Sequence, residues 1–191
     1  MEPNTLLQVL HLAERLKNAP RHSWSSTGRR ESVAEHSWRL CLMALLVRDE
    51  FPQADMDKVL RMCVLHDLGE AFTGDVPAFE KTDAHEQAEA AALQAWVRQL
   101  PAPYAQDFAA LYAEMDALQT TEAKLYKALD NLEAVVQHNE ADLATWLPLE
   151  YQLQRTYGAD KVGFSPYLRQ LKAAIDEETC AKIAAAPAAR P

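Results

Sequence analysis

Val64-Leu65-His66-Asp67-Leu68-Gly69-Glu70, with Gly74-Asp75-Val76-Pro77 close behind, is the stretch from which the fold can be read. It follows the apolar run Val59, Leu60, Met62, Cys63, Val64 and Leu65, so the adjacent histidine and aspartate are delivered from the end of a largely buried helix. A carboxylate set against an apolar core is costly without compensation, and a bound divalent cation compensates better than any single side chain. The other donors must come from elsewhere in the chain.

Working outward, Ser32-Val33-Ala34-Glu35 matches a capping box, with the serine covering free amides at a helix start and the glutamate reaching back. This places His36 in the first turn of a helix on which His36, Leu40, Met43 and Val47 share a face, so the imidazole points inward. Before it, Leu6, Leu7, Leu10, Ala13 and Leu16 predict an amphipathic helix ending near Asn18-Ala19-Pro20, followed by a polar loop from Arg21 to Glu31. Phe51-Pro52 and Asp55 mark a break and a restart, and Val59, Met62, Cys63 and His66 recur at i, i+3, i+4, i+7. Gly69 suits a helix C-terminus, leaving Glu70 and Asp75 on a loop.

Further on, Thr120-Thr121 opens a long helix with the stripe Leu125, Leu129, Leu132, Val136. Asp130 lies one residue off that stripe, on a face with Glu122, Tyr126 and Glu133, at the edge of the buried seam. Glu122 and Glu133 read as solvated acids, and His11, His22, His85 and His138 as surface or core residues. Trp38, Trp96 and Trp146 read as core or interface aromatics. Ser165-Pro166 opens a last helix, and the Ala-rich residues 180–191 are expected to fray after a domain spanning 1–179. No strand alternation stands out.

Composition agrees with one all-α domain. Hydrophobic residues make up 49% and charged ones 25% of 191 residues, with only five glycines, which excludes a disordered chain and disfavours a turn-rich β architecture. A net charge of −9 argues against a nucleic-acid polymer as partner, because a phosphate backbone demands a Lys/Arg surface. The start lacks a secretory signal and no run reaches membrane-span length, so a cytoplasmic protein with no membrane partner is expected. Cys41, Cys63 and Cys180 are widely spaced with no C-x-x-C, which fits a reducing compartment and a metal site without cysteine.

Three core helices thus present His36, His66-Asp67 and Asp130, and mixed nitrogen and oxygen ligands of this kind can hold a first-row divalent ion with positions left open. In this order Glu31-Ser32-Val33-Ala34-Glu35-His36-Ser37, His66-Asp67-x-x-Glu70, Gly74-Asp75-x-Pro77 and Lys124 to Glu133 resemble the HD-domain phosphohydrolases, and most closely the 5′-deoxynucleotidase-like branch. The resemblance runs from about Arg21 to Glu150. It implies an HD-domain helical bundle, a homodimer, and one divalent metal ion (Co, Mn, Mg, Zn or Fe) held by His36, His66, Asp67 and Asp130. It further implies hydrolysis of a small phosphomonoester, often a nucleoside 5′-monophosphate. Arg21 matches the family's phosphate-binding arginine, Glu70 a glutamate near the metal-bound water, and Asp75 an aspartate close to the substrate.

In the deoxynucleotidase branch an aromatic residue follows the arginine directly and reads the sugar. Here the order is Arg21-His22-Ser23-Trp24, and Trp24 takes that role from a shifted position. Lys81 is a further phosphate candidate. An HD-type phosphodiesterase or alarmone hydrolase is a second reading, against which the short chain and the lack of a Gly-Tyr-Pro segment count. A non-catalytic module stabilised by metal is a third, against which Glu70 and Asp75 count, because a structural cation site needs neither.

Overall fold

The 20-residue helix α8 (Thr121–Glu140) is the axis of the molecule, capped by Thr120, whose hydroxyl accepts the Ala123 N–H at 3.2 Å. The structure, a computed structural model, describes residues 1–186. Ahead of α8 the chain forms α1 (Pro3–Ala13), α2 (Arg15–Asn18), the strands β1 (Pro20–Trp24) and β2 (Arg30–Ser32), then α3 (Val33–Leu46), α4 (Met56–Leu65) and the single turn α5 (Glu70–Thr73). Helices α6 (Asp83–Val97) and α7 (Ala102–Ala117) lead into α8; α9 (Glu150–Thr156) and α10 (Pro166–Ala184) follow it.

In α3, α4 and α8 the predicted apolar stripes face the core. In α3 Val33, His36, Leu40 and Ala44 are buried, and the capping box of Ser32 and Glu35 is complete. In α4 Val59, Met62 and Cys63 are fully buried. These two helices pack with Leu125, Leu129 and Leu132 of α8 and Leu168 of α10 in one apolar core; a second, smaller core joins Leu12, Leu16, Val33, Leu68, Leu93 and Val97. Burying each leucine stabilises the fold by about 1.5–3 kcal/mol, so the α3–α4–α8 contact is its rigid part.

Four expectations are corrected. The first helix breaks at Glu14 and buries Leu12 and Leu16, while Leu6, Leu7 and Leu10 stay exposed, because the apolar partner surface lies on the Leu12 side. The loop from Arg21 to Glu31 contains a bulged antiparallel hairpin pairing Pro20 with Ser32 and Trp24 with Arg30. Its turn is closed by Gly28, whose φ of 81° is costly for any residue with a Cβ. Gly69 is not a left-handed stop: its φ is −58°, and a Cβ there would meet Glu89 Cγ at 2.8 Å, while Gly74, with φ 76°, ends α5. The last helix runs through Cys180 to Ala184, held by buried Ile175 and Thr179; the remainder of the expected frayed tail, 187–191, lies outside the described residues.

Candidate metal centre and adjoining pocket

His36 enters from the first turn of α3, His66 from the end of α4, Asp67 from the turn after it, and Asp130 from the middle of α8. Their donor atoms converge. His36 Nε2 lies 3.2 Å from His66 Nε2, 3.0 Å from Asp130 Oδ1 and 3.8 Å from Asp67 Oδ2. His66 Nε2 lies 2.9 Å from Asp67 Oδ2 and 3.6 Å from Asp130 Oδ1. Donor spacings of about 3 Å are those of ligands sharing one ion at roughly 2.0–2.2 Å. The imidazoles are sealed, at 0% and 4% side-chain exposure, whereas Asp67 and Asp130 retain 17% and 13%, so the cluster opens on its carboxylate side.

The electrostatics fit a cation at this point. Burial alone would lower the imidazole pKa values, yet Asp67 and Asp130 raise His66 to about 10, and hydrogen bonds with Asp130 and Glu133 raise His36. Burial would raise the carboxyls, yet His66 holds Asp67 below its usual range, while Lys127 and the two imidazoles hold Asp130 well below. Without a cation, imidazolium protons supply the positive charge these carboxylates demand. A divalent ion replaces them, because only neutral imidazole ligates.

Glu133, expected to be solvated, is fully buried and hydrogen-bonded to His36 Nδ1. Arg39 donates from Nε to Glu133 Oε1 at 2.6 Å, from Nη2 to Gln137 Oε1 at 2.6 Å and from Nη1 to Glu140 Oε2 at 2.6 Å. This chain fixes the ring and leaves Nε2 facing the cluster, the outer support usual for ligating histidines. The signal was present in the sequence as the i, i+3 pair Asp130 and Glu133, which share a face. Glu122 stands elsewhere, accepting the Asp55 N–H at 2.9 Å.

The other expected residues divide into two groups. Arg21 reaches the cluster from β1, Nη1 at 3.5 Å from Asp67 Oδ2 and Nε at 3.3 Å from Glu31 Oε2. Glu70 is 6% exposed, with Oε2 buried and unpartnered. Its carboxyl is pushed up to about 9 by burial and then by Asp67 and Asp75, against the pull of Arg21. Asp75 is raised too, chiefly by burial. Lys81 pairs with Glu89 at 2.8 Å, and Glu70 and Asp67 add to the field holding its charge. Trp24 is not brought to the cluster: the Arg30 guanidinium covers its ring at 5.1 Å and its carbonyl accepts from Gln137 Nε2 at 2.6 Å. Trp38 is exposed, not core, and Trp146 is buried.

Beside the cluster opens a cleft lined among others by Arg21, His22, Asp75, Phe79, Gln154 and Tyr157. Of its walls only Arg21 and Asp75 were anticipated as site residues.

The HD domain family profile matches residues 13–172, and the chain belongs to that family. Among curated relatives, it is 31% identical to the 5′-deoxynucleotidase HDDC2 of Homo sapiens over 188 residues, covering 95% of this chain and 90% of that protein. To the enzyme of the same name from Xenopus laevis it is 32% identical, with coverage of 94% and 90%. Among solved structures, a "predicted metal-dependent phosphohydrolase" from Magnetospirillum magnetotacticum superposes with a TM-score of 0.80 at 26% identity, covering 96% of this chain and 95% of that one.

Proposed function

We propose that this HD-domain protein is a metal-dependent phosphohydrolase that converts deoxynucleoside 5′-monophosphates and related small phosphomonoesters to nucleoside and phosphate. The observation that carries this reading is the convergence of His36, His66, Asp67 and Asp130, with Arg21 touching the Asp67 carboxylate and the buried Glu70 within the field of Asp67. The names of the similar proteins, 5′-deoxynucleotidase and metal-dependent phosphohydrolase, support it.

His36, His66, Asp67 and Asp130 would hold one divalent cation, whose Lewis acidity lowers the cost of charge on a phosphoryl oxygen. Arg21 forks onto phosphate oxygens, and its pairing with Glu31 and Asp67 holds the guanidinium beside the ligand carboxylate. Glu70 exchanges a proton at its carboxyl: protonated at neutral pH, it gives its proton to the nucleoside oxygen as the P–O bond breaks and takes one from the attacking water, which balances the hydrolysis. Asp75 and Lys81 bracket the entering substrate with opposite charges. The sugar and base enter the adjoining cavity, whose Phe79 ring offers an aromatic face.

The reading includes a homodimer, supported by the exposed apolar row Trp38, Leu42, Leu45 and Leu46 on α3. It also includes a cytoplasmic location, supported by three free cysteines. No helix among the described residues is long and apolar enough to cross a membrane. Purified protein loaded with Co²⁺ or Mn²⁺ should release phosphate from deoxynucleoside 5′-monophosphates. Absence of release across a nucleotide and sugar-phosphate panel, with metal shown to be bound, would reject the reading.

A further inference from the structure

A second set of donors meets where β1, α8 and α9 come together. Glu150, at the start of α9, is 1% exposed, and its Oε1 lies 3.0 Å from His22 Nε2 and 3.1 Å from His138 Nε2. All three donor atoms lie within 4.8 Å of one another. His22 comes from β1 and His138 from the last turn of α8, so with Glu150 the trio spans 128 positions of sequence, from His22 to Glu150.

One feature separates this trio from a hydrogen-bonded relay. Both Nε2 atoms are buried and have no aligned hydrogen-bond partner, although the carboxylate oxygen is only about 3 Å away. A relay would turn each N–H onto the oxygen, because a misaligned buried contact forfeits most of the bond. Two buried nitrogens left without a hydrogen bond beside one carboxylate oxygen are satisfied together by an ion placed between the three.

The surroundings also hold the donors in place. Glu150 Oε2 accepts the Leu147 N–H at 2.6 Å, which fixes the carboxylate and leaves Oε1 to the histidines. The His138 ring packs against Trp146 at 5.0 Å and the His22 ring edge-on against Phe79 at 5.3 Å. Burial lowers the His138 pKa against the opposing pull of Glu150, which favours the neutral, ligating imidazole. Gln154, one turn beyond Glu150, lines the same cavity with a buried, unpartnered Oε1. The nearby Arg21 charge is already matched by Glu31 and Asp67.

We propose that His22, His138 and Glu150 form a second divalent-cation site, distinct from the cluster at His36, His66, Asp67 and Asp130. Two imidazoles and a carboxylate suit zinc, cobalt or nickel, and a three-residue set leaves a position open toward the cavity. The site ties the hairpin to α8 and α9 and stands independently of the phosphohydrolase reading.

The test is cobalt titration of the metal-stripped full chain, read as bound metal per chain after desalting and as cobalt absorption. Two equivalents are expected in the wild type, one in Asp67→Ala, one in His22→Asn, and none in the double variant. Glu150→Gln, which keeps an acceptor for the Leu147 N–H, should also lose one equivalent and serves if His22→Asn fails to fold by circular dichroism. A stoichiometry left unchanged by both His22→Asn and Glu150→Gln, whether one or two, overturns the proposal and returns the trio to ordinary packing.

Discussion

Two clusters hang on α8 about two turns apart, Asp130 with its histidines and His138 with its glutamate, roughly 12 Å along the helix. The first takes its donors from the core helices α3, α4 and α8 and is surrounded by Arg21, Arg39 and Lys127, so each negative group has a matching cation. The second takes its donors from a hairpin strand, a helix end and a short helix, and aromatic rings pack around it. The contrast shows what a catalytic centre needs beyond ligands: a phosphate-binding arginine and an acid of shifted pKa stand beside the first cluster.

Glu70→Gln tests that contrast most severely. It should lower phosphate release by about 10²–10⁴-fold, the range for a lost acid–base group, and leave cobalt binding at the first cluster in place. The same change should stabilise the metal-stripped protein. Because the folded-state pKa of Glu70, about 9, exceeds its unfolded value, the group's contribution is fully present below about 4.5 and is lost as pH rises through 9. Glutamine removes that loss. A melting curve at pH 8 should therefore shift upward by roughly 2–4 °C for each ~1 kcal/mol recovered.

Breaking the outer support has a smaller effect. Glu133→Gln leaves the four donors intact but frees His36 Nδ1 and Arg39, so cobalt affinity measured by calorimetry should weaken by about 10–100-fold. Arg21→Lys keeps the charge and loses the fork; KM for a nucleoside monophosphate should rise by about 10-fold, with a smaller change in kcat. Trp24→Phe, at a ring covered by Arg30 and absent from the cavity wall, should leave KM within about 2-fold. A large rise in KM would restore Trp24 as the sugar reader.

The first cluster was legible because each of its donors comes off a helical stripe whose apolar neighbours set the register: His36 with Leu40, His66 with Val59 and Met62, Asp130 beside Leu129. Helical period converts spacing into direction. Glu133 was misread because periodicity places a residue on a face without saying how deep the facing histidine and arginine draw it. The hairpin was missed because Pro20–Trp24 and Arg30–Ser32 show no apolar alternation; what holds them is pairing and the Gly28 turn, not a hydrophobic face. His22 and Glu150 therefore carried no readable register. Their meeting with His138 depends on tertiary packing around Pro148 and the hairpin, which local spacing does not encode.

The most direct measurement is phosphate release from a deoxynucleoside 5′-monophosphate as cobalt is titrated into the metal-stripped chain, wild type beside Asp67→Ala. Release should appear with cobalt in the wild type and stay absent in Asp67→Ala at every cobalt level, even where that variant still binds metal at His22, His138 and Glu150. Release that does not depend on cobalt, or that survives in Asp67→Ala, would contradict the assignment of His36, His66, Asp67 and Asp130 as the catalytic metal centre.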